Sequence, residues 1–331
     1  MKKAVFCILF LLFAALLTVI YMNRAFQTPA SPDAREVRVV IKTGTPAAKI
    51  IASLHEHGII RSPVVFKTLL YLKGNTDKIK AGEYAFQGSL TPAQVMERLV
   101  RGDIVFHKIT IPEGLTLAET ARMIAEVPFL SGEEFSRRAR DPAAILSIDP
   151  EAKDLEGYLF PDTYFLTRDM SAGRVADMMT GRFARIFTME WRDRAEALGF
   201  SVREIVTLAS LIEKETGLDK ERSLVSSVFH NRLEKNMLLQ CDPTVIYAMK
   251  KEGVYNGRLL RADLSFDSPY NTYRSPWLPP GPIACPGRDA IRAALYPDKT
   301  PYYYFVSCND GSHAFSKNMA EHNRMVRKYR R

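Results

Sequence analysis

Cysteine is scarce in this chain of 331 residues, and its four copies are poorly placed for chemistry. Cys7 falls inside an N-terminal apolar run, and Cys241, Cys285 and Cys308 show neither CxxC nor Cys/His ligand spacing. No metal site is therefore expected. The three cysteines beyond the run cannot all pair within one chain, so at most one disulfide is available. Also missing are a glycine-rich loop able to cradle a phosphate and a GxSxG nucleophile elbow, and no cofactor is expected. Acidic residues are outnumbered: 46 Lys and Arg stand against 37 Asp and Glu, a formal net charge of +9. That balance suits an anionic surface, either lipid headgroups or a wall polymer with free carboxylates. Nucleic acid is not the expected partner, because the sequence has no aromatic-basic platform for a single strand and no recognition-helix signature.

What is present begins at the N-terminus. Lys2 and Lys3 precede an apolar stretch at residues 4–22, broken only by Thr18 and Tyr21, and Asn23 and Arg24 follow. As a helix this stretch approaches the ~30 Å of a bilayer core. A cleaved signal peptide would need a small-x-small site just after the apolar core, and the segment from Tyr21 to Phe26 offers none. Residues 4–22 thus read as a single-pass signal anchor in the cytoplasmic (inner) membrane, with residues 1–3 cytoplasmic and the rest exported to the periplasm or wall space. Pro29, Ser31 and Pro32 mark residues 23–35 as a linker.

A weak internal repeat opens the exported part. Residues 37–41 (VRVVI) have a strand pattern, Thr43-Gly44-Thr45 a capping turn and residues 47–54 an amphipathic helix, with a second helix expected near Ser62. The same order returns at residues 106–111 (FHKITI), at Glu113-Gly114-Leu115-Thr116, at residues 117–125 and after Ser131. Between the copies, residues 82–86 (GEYAF) supply a closing strand and residues 91–100 a helix. Further on, helices are expected over residues 172–198 and 220–233, paired strands near 302–306 and 313–316, and a basic helix to Arg331. The fold class is α+β.

Glu213 is the sharpest candidate for chemistry. In the string LASLIEKET at residues 208–216 it lies at one edge of an apolar stripe formed by Ile205, Leu208, Ala209 and Ile212, with Thr207, Ser210 and Lys214 opposite. A carboxylate half-buried against Val206 and Ala209 loses hydration, which favours its neutral form and suits a general acid for cutting a sugar chain. Glu215 occupies the other edge, and periodicity does not choose between them. The competing account makes both of them rim carboxylates paired with cations such as Arg222 or Lys220. Glu156, Tyr158 and Asp162, then Gln240, Asp242, Thr244 and Tyr247, then Asn271 and Tyr273 read as lying on irregular backbone. Carboxylates, amides and tyrosines offered in this way are typical of sugar sites.

Several strings carry more than spacing. LASLIEKET is followed by Glu221-Arg222, by VFHNRL at residues 228–233, by MLLQ at 237–240 with DPTVIY at 242–247, and by YNTY at 270–273 with LPPGPI at 278–283. With EGYLFPDTY at residues 156–164 and HAFS at 313–316, they resemble the YceG-like (MltG) family of endolytic murein transglycosylases from about residue 36 to the end. The βαα layout of residues 36–105 by itself resembles the LysM type of wall-binding module, with a generic βαα spacer as the alternative, and the family resemblance implies a catalytic domain at 106–331. The family resemblance selects Glu213 over Glu215 as the catalytic residue. It also implies substrate contacts from Glu156, Tyr158, Asp162, Asn231, Gln240, Asp242, Thr244, Tyr247, Asn271 and Tyr273. The implied reaction cuts the MurNAc–GlcNAc β-1,4 bond inside nascent strands, which limits their length. Glu213 protonates the bridging oxygen and then takes the muramyl C6 hydroxyl proton, leaving a 1,6-anhydroMurNAc end. Peptidoglycan, the cytoplasmic membrane and peptidoglycan synthases are the implied partners. No second carboxylate is needed. A muramidase-type hydrolase would need one, with Asp162, Glu156 or Asp242 as candidates. A non-catalytic wall-binding scaffold, with Glu213 as a structural ion pair, is the remaining alternative.

Overall fold

With neither Gly nor Pro to interrupt it, the N-terminal apolar run forms one helix, α1 (Lys2–Gln27), in a computed structural model that describes residues 2–30 and 35–329. Val5–Gln27 is long and apolar enough to cross a membrane, and none of it is buried inside the protein. The helix continues through residues 23–27, where a linker is expected, because no helix breaker occurs before Pro29. Phe26, in its last turn, packs on an apolar core instead of beginning a free tether. Residues 31–34 of the expected linker, together with Met1 and residues 330–331 at the two ends, lie outside the described residues.

The chain divides into two units, the first of which takes in residues 1–108 and 165–170. Here β1 (Val37–Ile41) is followed by α2 (Ala47–Glu56) and α3 (Pro63–Leu72), then by β2 (Gly82–Phe86) and α4 (Pro92–Arg101). β1 and β2 pair antiparallel, with Val39 opposite Tyr84. Local sequence sets the boundaries. The Ser62 hydroxyl accepts from the Val65 amide ahead of Pro63, and Thr91 and Gln94 form a reciprocal capping box. Gly102, at φ 79°, takes the left-handed conformation that stops α4. Ile50 and Leu54, Phe66 and Leu70, and Val95 and Leu99 recur at helical spacing and close over Val39, Ile41, Tyr84 and Phe86 as one core.

The second unit comprises residues 109–164 and 171–331. The chain enters it in the middle of β3 (His107–Thr110), and the order strand, glycine turn, helix, helix repeats with α5 (Leu117–Ala125) and α6 (Gly132–Ala139). β3 pairs with β4 (Thr163–Leu166), a strand not legible in the EGYLFPDTY string. Then come α7 (Ala172–Ile186), α8 (Met189–Ala197), α9 (Val202–Glu215) and α10 (Asp219–Glu234). Two further helices follow: α11 (Asp242–Lys251), in a stretch read as irregular, and α12 (Arg288–Leu295), for which the sequence carried no expectation. Neither has a capping side chain at its N-terminus; Pro243 in the first turn of α11 and Gly287 just before α12 are their start signals. The strands β5 (Tyr304–Ser307) and β6 (His313–Ser316) form an antiparallel hairpin, followed by α13 (Met319–Tyr329).

α9 is the centre of this unit. Every residue from Ile205 to Ile212 is at most 1% exposed, including Thr207 and Ser210 on the face that periodicity places opposite the stripe. The reason is that α8, α10, α11 and α12 pack around it. Ser210 is accommodated by donating to the Thr207 carbonyl at 2.6 Å and accepting from the Ile283 amide at 3.0 Å. Gly157 crosses α9 so closely that a Cβ would sit 2.5 Å from Pro282 and 3.0 Å from Val206, and its φ is +85°. Both faults fall on rigid neighbours. Gly157→Ala is expected to lower the stability of this unit by about 3 kcal/mol, read as a fall in Tm of several degrees in thermal unfolding. An unchanged Tm would mean that the Gly157 loop does not press on α9 in solution.

Candidate active site

The last turn of α9 delivers Glu213 to a polar cluster drawn from three other segments. Glu213 Oε2 accepts from the Gly287 amide at 2.8 Å, and Oε1 lies 3.5 Å from Arg222 Nη2 on α10. The Glu213 side chain is 6% exposed and that of Arg222 8%, so this is a largely buried ion pair. Arg222 also reaches Glu113, at 3.7 Å, and Asp219. Glu113 comes from the turn between β3 and α5, which is pinned by two backbone bonds: the Gly114 amide donates to the Cys285 carbonyl at 2.9 Å, and the Cys285 amide to the Leu115 carbonyl at 2.8 Å. Lys214 Nζ donates to the Gly114 carbonyl at 3.0 Å. A Cβ on Gly114 would stand 3.5 Å from Glu213 Cγ, and one on Gly287 would strike the Glu113 carboxyl. Glycine at both positions lets backbone approach the two acids.

Glu213 is therefore not the isolated half-buried acid that the stripe alone suggests. Its pairing with Arg222 is the contact that the rim-carboxylate account named, although the pair is buried. Burial works against the Arg222 guanidinium, but Glu213, Asp219 and Glu113 outweigh it and hold its pKa above the ordinary value. The Glu113 carboxyl is pushed up by burial and then by the Glu213 charge, with Arg222 opposing. Removing the shared cation leaves the buried Glu213 carboxylate uncompensated and beside Glu113. Arg222→Met is expected to cost about 3 kcal/mol, lowering Tm by several degrees, and to weaken catalysis with it. Adding Glu113→Gln to that variant should recover part of the loss in a double-mutant cycle. Recovery of nothing would mean that the guanidinium does not hold the two acids together.

Glu215 faces elsewhere. Burial raises its pKa, opposed by a hydrogen bond with Cys241. It lines a cavity of about 380 Å³ with Gln240, Asp242 and Tyr273, three of the residues expected to meet substrate. Gln240 adopts φ 52°, and the Tyr273 hydroxyl donates to Asp242 at 2.5 Å. Glu156 and Tyr247 meet at a different groove, where the Tyr247 hydroxyl donates to Glu156 Oε2 at 3.2 Å and the Leu117 amide to Oε1 at 2.8 Å. Burial pushes the Glu156 carboxyl up to about 8, with the Leu117 amide the largest opposing contact.

Other expected contacts are occupied by the fold. Tyr158 is buried and donates to Asp149 at 2.5 Å, and Asp162 pairs with Arg182 at 2.8 Å. The Asn231 amide donates to the carbonyls of Thr300 and Tyr302, holding the segment before β5 on α10. Thr244 is fully buried against Cys241 and Thr272, and Asn271 donates to the carbonyls of Leu264 and Phe266. Tyr158, Thr244 and Asn271 therefore support the site from behind and present no free surface to a ligand. In the other direction, Glu113, Arg222 and Gly287 surround Glu213 although the sequence singled out none of them as site residues. The Gly114 turn and the Glu221-Arg222 pair were the available signals.

A buried carboxylate fixed by a guanidinium and a backbone amide, with a second carboxylate beside it, is an acid–base arrangement suited to cleaving a glycosidic bond. The chain belongs to the YceG-like family, whose model matches residues 39–328. It is similar to an endolytic murein transglycosylase of Bacillus subtilis, 33% identical over 93% of this chain and 89% of that protein. It is also similar to one of Streptococcus pneumoniae, 29% identical over 97% of this chain and 64% of that protein. A crystal structure of a YceG-like protein from Listeria monocytogenes superposes with a TM-score of 0.60 at 34% identity, covering 88% of this chain and 98% of that one.

Proposed function

We propose that this protein is an endolytic murein transglycosylase with Glu213 as its catalytic residue. The observation that carries the reading is the anchoring of the Glu213 carboxylate by the Gly287 amide and Arg222, beside Glu113, at the end of the buried helix α9. Glu213 protonates the bridging oxygen of the MurNAc–GlcNAc bond as it breaks. The carboxylate left behind is stabilised by Arg222 and the Gly287 amide, and it then accepts the proton of the muramyl C6 hydroxyl, whose oxygen closes on C1. Glu113, whose carboxyl is pushed up by burial and by the Glu213 charge, is the second carboxylate that Arg222 holds beside Glu213. Gln240, Asp242 and Tyr273 on one side and Glu156 and Tyr247 on another are the remaining candidates for strand contacts.

Glu113 also favours a second reading, a two-carboxylate muramidase, more directly than Asp162, Glu156 or Asp242 do, because their contacts lie elsewhere. Mass spectrometry of digested glycan strands decides between the two: 1,6-anhydro ends are expected, and reducing ends would replace the transglycosylase with the hydrolase. In this reading α1 anchors the chain in the cytoplasmic membrane with its N-terminus inside. Residues 36–105 act as a LysM-like wall-binding module, supported by their β1, α2, α3, β2 order, and residues 106–331 as the catalytic domain beside the peptidoglycan synthases. The Glu213→Gln chain, unable to cut, should still be retained on purified peptidoglycan; absence of retention would remove the wall-binding role.

A further inference from the structure

A groove of about 540 Å³ runs between the N-terminal end of α5 and α11, where the cations Arg122, Arg140, Lys250 and Lys251 outnumber the acids Glu119, Asp154 and Glu156. Arg122 and Arg140 are exposed and form no ion pair among the described residues. Lys251 stands over the Tyr270 ring at 4.9 Å and the Tyr247 ring at 5.9 Å instead of on a carboxylate. Lys250 alone is neutralised, by Glu119 at 2.8 Å. The floor holds Tyr247 and Glu156, whose carboxyl stays protonated at neutral pH and so does not repel an anion. Arg122 and Arg140 also line a neighbouring cavity of about 580 Å³, where Arg137 adds a further positive charge against the single acid Glu133. The cationic wall thus extends over two hollows, which fits an extended ligand with spaced carboxylates better than a single small ion.

We infer that this groove binds the carboxylates of the peptide borne by the glycan strand while the strand lies at Glu213; the inference rests on the transglycosylase reading. Thr116 lines the groove and is two residues from Gly114, which abuts Glu213, a chain distance of at most about 7 Å. A substituent on the bound strand is therefore the nearest source of anions. The guanidinium fork matches a carboxylate in two-point contact, and an aromatic floor suits the apolar parts of a short peptide. Specificity for peptide-bearing strands would then come from a surface separate from the acid itself.

The test uses the full chain in detergent micelles carrying Glu213→Gln, so that ligand is not consumed. It is titrated calorimetrically with a muramyl disaccharide bearing its peptide and with the same disaccharide lacking it. The peptide-bearing form is expected to bind at least about five-fold more tightly. Adding Arg122→Ala and Arg140→Ala should abolish that difference without changing affinity for the bare sugar, whereas the two Arg→Lys changes should retain part of it. Equal affinities for the two sugars, or equal weakening of both by the double variant, would overturn the inference. So would Arg122- and Arg140-dependent binding of a polyglycerol phosphate or of anionic vesicles in place of the peptide. Cleavage is scored separately on the chain with Glu213 intact: peptide-dependent binding without any cutting would sink the transglycosylase reading and leave the groove standing.

Discussion

Glu213→Gln is expected to lower glycan cleavage by about 10²- to 10⁴-fold, the range associated with loss of a positioned general acid and base. Glutamine keeps the shape, and its carbonyl can still accept from the Gly287 amide at the place where Oε2 now lies. It cannot donate a proton to a leaving oxygen, nor collect one from the C6 hydroxyl. Both halves of the reaction should therefore fail together. The neutral amide also leaves the Arg222 guanidinium with Glu113 and Asp219 as its remaining partners, so Tm should move far less than activity does. The measurement is release of soluble fragments from purified peptidoglycan, with circular dichroism on the same sample to establish that the fold is kept. Residual activity within a factor of a few of the parent would remove Glu213 from the chemistry. Attention would then pass to Glu113, the other carboxylate that Arg222 holds.

The helix that presents Glu213 was legible because apolar residues recur with the helical period, and in the structure Ser201 and Glu204 cap its start. Its surroundings were not. Periodicity assumes one wet face, whereas α9 is enclosed by helices from distant parts of the chain, so the polar Thr207 and Ser210 became interior residues. Glu213 was preferred to Glu215 on the family resemblance alone, because periodicity says nothing of what each acid meets. Glu213 meets Arg222 and Gly287, and Glu215 meets Cys241, all of them tertiary contacts invisible to a pattern within one helix. The reading of α11 as irregular failed for a local reason, since a Cys before Asp-Pro is a weak helix start and the sugar-site composition suggested a loop. Several residues there and in the flanking strings proved to be braces. Asn231, Thr244 and Asn271 hold backbone that has no regular ladder of its own, a task that selects amides and hydroxyls as readily as sugar binding does.

Glu156→Gln is expected to stabilise the protein at pH 8 and to leave it nearly unchanged at pH 5. In the unfolded chain this carboxyl titrates near its ordinary value of 4.5, while burial pushes the folded-state value up to about 8. Between those limits the unfolded state has released its proton and the folded state still holds it. Folded molecules thus bind more protons than unfolded ones, and stability falls as pH rises. The slope from this one group is about 1.4 kcal/mol per pH unit, and its full effect is reached once pH exceeds the folded value. Glutamine stays neutral throughout, can accept from the Leu117 amide as Oε1 does, and can donate to the Tyr247 hydroxyl oxygen. It should therefore remove the slope while keeping the contacts. Urea unfolding of parent and variant at pH 5, 6.5 and 8 measures this directly, with the difference in stability expected to grow by on the order of a few kcal/mol across the series. Parallel pH profiles would show that Glu156 is ionised in the folded protein. The floor of the cationic groove would then carry a negative charge, and the groove would be a poorer site for a carboxylate.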